Sequence, residues 1–99
     1  MRTMFRITIP VEAGNRAIKD GTLQKLLEAT AARLKPEAAY FVADTGIRSA
    51  MFFFDMKDSS EVPEIAERLF IGLEAKCEFF PAMNGDDLKK GLAAAMQGM

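Results

Sequence analysis

The chain has 99 residues, 13 of them basic and 14 acidic, for a net charge of −1 at pH 7. That is one domain's worth of chain, a single domain over residues 1–99, and so even a charge balance gives no broad field to attract nucleic acid or an anionic membrane. Histidine is absent and cysteine occurs once, at Cys77, which excludes His-based nucleophilic triads, His-ligated zinc, iron or haem centres, an internal disulfide and a CxxC pair.

Any acid–base chemistry must therefore use Asp, Glu, Lys, Tyr or the Cys77 thiol; a carboxylate-only magnesium or calcium site stays open, but no EF-hand or P-loop pattern is present. No cofactor is expected. Met1 to Ile9 alternates apolar and polar residues and Pro10 follows, so no signal-peptide block is read there. The longest apolar run, Ala50-Met51-Phe52-Phe53-Phe54, falls far short of the ~20 residues that a membrane helix needs. A cytoplasmic protein is the expectation.

The first strand is read over Thr3–Ile9, with Phe5, Ile7 and Ile9 on one face and Met4, Arg6 and Thr8 on the other. Pro10 ends it, because proline cannot donate to a sheet ladder. Residues 14–21 read as an irregular or short helical lead-in. From Thr22 the spacing becomes helical, with Leu23, Leu26, Leu27, Thr30, Ala31 and Leu34 on one stripe, until Pro36 closes the element at Lys35. Strands two and three are read over Ala38–Ala43 and Ile47–Met56. Asp44-Thr45-Gly46 between them suits a three-residue bulged hairpin loop, which sets Ala43 against Ile47, Val42 against Arg48 and Tyr40 against Ala50. A two-residue loop is the alternative and would set Tyr40 against Met51.

Asp58-Ser59-Ser60 offers helix caps before a second helix, whose first turn holds Glu61, Pro63 and Glu64 and whose stripe is Val62, Ile65, Ala66, Leu69 and Leu73. Strand four is Lys76–Phe80, with Cys77 and Phe79 on one face and Lys76, Glu78 and Phe80 on the other. Asn84 then caps a last helix with Leu88, Leu92 and Met96 as its stripe, and the final three residues fray. The order is β-α-β-β-α-β plus a terminal helix, an α+β chain of the split βαβ kind. The right-handed crossover rule puts strands one and three at the centre of a four-stranded antiparallel sheet, flanked by four and two, with the main helices on one face.

Strand three does not alternate, since Phe52 and Phe54 point one way and Met51 and Phe53 the other. Two phenylalanines on a helix-free face, at ~25 cal/mol per Å2 and at least ~150 Å2 each, make its burial worth roughly 7 kcal/mol before ordering costs. A second copy packed sheet to sheet is the economical cover for so short a chain. The alternative is the terminal helix folding back.

The element order and the doubly apolar strand three resemble the dimeric α+β barrel superfamily of ferredoxin-like folds. Pro10-Val11-Glu12-Ala13-Gly14-Asn15, Pro36-Glu37-Ala38-Ala39-Tyr40-Phe41 and the stretch Ala66–Met83 are similar to a group of small stand-alone bacterial proteins of unassigned function, over roughly residues 5 to 90. The resemblance implies a homodimer whose sheets enclose a cavity. Superfamily relatives include muconolactone isomerases, antibiotic-biosynthesis monooxygenases and haem-degrading enzymes, of which the last use a histidine ligand that this chain lacks.

On the bulged register the helix-free face carries Met4, Arg6, Thr8, Tyr40, Val42, Arg48, Ala50, Phe52, Phe54, Glu78 and Phe80. Such a mix of apolar wall and few polar groups is what small-molecule cavities contain. Arg6 and Arg48 would hold an anionic or carbonyl group, Phe52 and Phe54 a flat organic body, and Glu78 or Tyr40 would move a proton. A bound apolar or aromatic ligand is the first expectation. A cofactor-independent monooxygenase or isomerase using Tyr40 or Glu78 is the second, and a dry structural dimer, with Arg6 and Glu78 neutralising each other, the third.

Overall fold

A computed structural model describes residues 1–99. Its elements run β1 (Arg2–Thr8), α1 (Val11–Asp20), α2 (Thr22–Leu34), β2 (Ala38–Asp44), β3 (Ile47–Asp55), α3 (Glu61–Leu73), β4 (Lys76–Pro81) and α4 (Gly85–Gln97). The four strands form one open antiparallel sheet in the order β2-β3-β1-β4. The central pair β1 and β3 and the flanking pair are those that the crossover rule requires. The fold is α+β.

Helices α1, α2 and α3 lie on one side of the sheet. Their Ala17, Leu34, Ile65, Leu69 and Leu73 join Phe5, Ile7, Ile9, Phe52 and Phe54 in a single core. Phe5 of β1 stacks on Phe79 of β4 with ring centroids 4.3 Å apart, and Phe41 meets Phe52 edge-on at 6.0 Å.

Residues 11–20 form a full helix where the sequence suggested an irregular lead-in. Helix α1 is short of large side chains because it packs closely. Ala13, Gly14 and Ala17 are its buried face, and a Cβ placed on Gly14 would lie 2.5 Å from Arg48 Nη1 and 3.2 Å from Ile9 Cγ2. Gly21, at φ 82°, turns the chain out of α1 and straight into α2. Lys35 likewise leaves the helical region before Pro36, at φ 48°, with its N–H on the Ala31 carbonyl.

The β2–β3 hairpin has a two-residue loop. Asp44 pairs with Ile47, and Tyr40 sits opposite Met51 instead of Ala50. Thr45 and Gly46 both have positive φ, 51° and 80°, the backbone of a type I′ turn whose twist matches that of the strands it joins. The bulged register is thereby corrected. Threonine concealed the turn: a β-branched residue disfavours left-handed backbone, and here its Oγ1 donates to the Asp44 carbonyl at 2.6 Å.

A slip of one residue exchanges the two faces of a strand. Phe52 and Phe54, at 0% and 2% exposure, are core residues under the helices, not part of the helix-free face, and Ala50 is buried with them. Met51 and Phe53 take their places on that face.

Two measurements check this register. Thr45→Asn relieves the strained residue while keeping the turn, and is expected to raise stability by about 1 kcal/mol, a gain of about 4–8 °C in Tm. In urea unfolding of dilute protein, Phe52→Ala is expected to cost about 3–5 kcal/mol and Phe53→Ala clearly less. The reverse ranking would restore the bulged loop.

Candidate functional site

Pairing across the sheet arranges the helix-free face as rungs, each crossing all four strands. Tyr40, Met51, Arg6 and Glu78 make one rung from β2 to β4; Ala38, Phe53, Met4 and Phe80 make the next towards the amino end of β1; Val42, Ser49, Thr8 and Lys76 make the rung on the other side. The face is thus graded, with an apolar rung beside a mixed rung and a polar one beyond.

The mixed rung holds the half-buried ion pair. Arg6 Nε donates to Glu78 Oε1 at 3.0 Å and Nη2 lies at 3.0 Å from the same oxygen. The guanidinium carbon also stands 5.5 Å from the centroid of the Phe80 ring on the neighbouring rung, within cation–π range. Lys76 Nζ approaches Glu78 Oε1 at 4.0 Å. The side chains of Arg6 and Glu78 retain 32% and 24% of their exposure, so water still reaches the pair.

Beyond the apolar rung the face ends in a charged margin. Arg2 Nε donates to Glu37 at 2.8 Å and Nη1 to Asp87 at 3.3 Å, while Asp55 accepts from Lys57 Nζ and from the Met1 ammonium at 2.6 Å each. Lys57 and then the ammonium hold the Asp55 carboxyl at about 2, below its ordinary range.

The structure brings Arg6, Tyr40 and Glu78 onto the open face, as their strands imply, and removes Arg48, Phe52 and Phe54 from it. Arg48 lies on the helix side, where Nη2 donates to Asn15 Oδ1 at 3.0 Å and Nη1 to the Val11 carbonyl at 3.4 Å. It clamps the first turns of α1 to β3 and is not available to the opposite face. The second arginine of the expected anion site is therefore lost. Tyr40 and Glu78 stand at opposite ends of their rung, three strand spacings or about 14 Å apart. One chain alone cannot use both on the same reacting atom.

A groove elsewhere on the chain was not visible in the sequence pattern. On the helix side, Ile18, Leu23, Leu27, Ala31 and Phe41 line a groove of about 400 Å3 beside the β2 edge. Phe41 is the residue that signals it, because α2 leaves it 62% exposed at that edge. Polar groups are few there, and no Cys, Asp or Glu cluster that could hold a metal ion forms anywhere in the chain.

Comparison with protein-family models, with curated proteins and with solved structures returned no match. No helix is long and apolar enough to cross a membrane.

Cys77 faces the helix side opposite Ile7, and burial, with a smaller contribution from Glu67, pushes its thiol up to about 11. At a given pH a thiol held that high carries about a hundredth of the usual thiolate. Modification by a thiol reagent at pH 8 is expected to be about 100-fold slower than for an unfolded control and to recover in denaturant. Equal rates would place the thiol in the open.

Proposed function

We propose that the chain acts as a homodimer of ferredoxin-like domains, two helix-free faces packed together as a dimeric α/β barrel around a cavity for a small apolar or aromatic ligand. The observation that carries this reading is the graded face. Phe53, Met4 and Phe80 supply an apolar wall, and the Arg6–Glu78 pair supplies the polar contact one rung away.

The energetics favour a cavity over a dry seal. Packing Met51, Phe53, Tyr40 and Phe80 against a partner gains about 25 cal/mol for every Å2 of apolar surface removed from water. Closing the same face over Arg6 and Glu78 strips their water, and for a buried ion pair that penalty can exceed the Coulombic gain. A cavity at the mixed rung, holding water or the polar end of a ligand, reconciles the two demands. The ligand class that fits is a flat apolar body with one polar or anionic group, directed to Arg6. The reading of a filled structural interface is favoured by one observation, that Arg6 and Glu78 already satisfy each other.

Light scattering over a dilution series tests the assembly. The wild type is expected at twice the mass of the chain, and Phe53→Asp is expected to weaken association at least tenfold while the fold survives. A thermal-shift screen of small aromatic acids and neutral aromatics tests the cavity. A stabilising compound is expected to lose its effect in Arg6→Ala with the dimer intact. A dimer that no compound stabilises, and that Arg6→Ala leaves unmoved, would establish the filled interface.

A further inference from the structure

We propose that α4 is an intermolecular arm, its Leu88–Leu92–Met96 stripe seated on a second copy of the chain; the inference rests on the sheet-face dimer and extends it to the carboxyl-terminal helix. No residue of α4 is buried. The stripe residues are 47%, 56% and 65% exposed, although their i, i+4, i+8 spacing places them in one line about 12 Å long. A lone helix of this length is marginal in water, and its stability in proteins comes from packing an apolar face. The chain by itself offers α4 no such packing.

The helix is nevertheless aimed by its root. Asn84 Oδ1 accepts from the Asp87 N–H at 2.8 Å and the Asp87 carboxylate accepts from the Asn84 N–H at 3.1 Å, a reciprocal capping box. The same carboxylate takes Arg2 Nη1 at 3.3 Å. One residue past β4, the Ala82 N–H donates to the Arg2 carbonyl at 3.0 Å. The start of α4 is therefore fixed to β1 at the charged margin of the open face, next to the apolar rung of Phe53, Met4 and Phe80.

The dimensions point to a second copy as the occupant. The chain exposes 6650 Å2, whereas a compact monomer of its mass exposes about 5,600 Å2. Its radius of gyration is 15.9 Å, against about 12.6 Å for a compact domain of this length. The excess of about 1,000 Å2 is close to the ~800 Å2 that each partner contributes to a standard interface. A copy docked on the open face lies against the root of the arm, and two-fold symmetry makes the exchange reciprocal, each copy giving an arm and receiving one.

The test uses the full chain, with sedimentation velocity and amide hydrogen exchange across a dilution series. The wild type is expected to dimerise, with α4 amides protected at high concentration and exposed on dilution. The double variant Leu88→Asp/Leu92→Asp is expected to weaken the dimer at least tenfold while β1 and β3 amides stay protected. Fast α4 exchange in a wild-type dimer, together with unchanged association of the double variant, would overturn the arm and leave the sheet-face dimer standing. A wild type that stays monomeric with α4 protected at every dilution would place the stripe on its own chain and overturn both.

Discussion

The Thr45-Gly46 turn is the constraint on which the remaining structure depends. With positive φ at both residues, it joins β2 to β3 with two residues and leaves no slack for a bulge. Since side chains alternate with a period of two, that choice decides which half of the apolar run from Ala50 to Phe54 lies under the helices. Ala50, Phe52 and Phe54 go to the core, and Met51 and Phe53 go to the open face. The core gains two fully packed rings. The open face receives one ring and one flexible thioether, a more adaptable surface than two phenylalanines would make.

The same register lines up the chemistry. Arg6 meets Glu78 directly, and Tyr40 is held three strands away from it. An acid and a base on one chain are thus kept apart, while an ion pair and an aromatic wall are kept together. At the end of the same face Arg2, Glu37, Asp55 and Asp87 form a polar margin beside the apolar rung, which gives the proposed interface a polar rim on that side.

Much of this could be read from the residues, and the failures have physical causes. β1 and β4 alternate, so their faces were legible, as were the stripes of α2 and α3 and the Asn84 cap of α4. The strand order followed from handedness alone. Strand three carried no such signal because both of its faces are apolar; its orientation was delegated to a turn whose threonine disguises the left-handed backbone. Arg48 moved with it, from an expected ligand contact to a clamp on α1. Helix α1 was obscured because Gly14 serves close packing against Arg48 and Ile9, where a glycine usually signals a break. The exposure of α4 was beyond any periodicity argument, since a stripe says that a face is to be buried and not by what.

The hairpin register is open to direct measurement by backbone proton contacts across β2 and β3 in an isotope-labelled sample. Cross-strand contacts of Tyr40 with Met51 and of Val42 with Ser49 are expected. Contacts of Tyr40 with Ala50 and of Val42 with Arg48 would return Phe52 and Phe54 to the open face and contradict the arrangement from which the core, the site and the proposed dimer all follow.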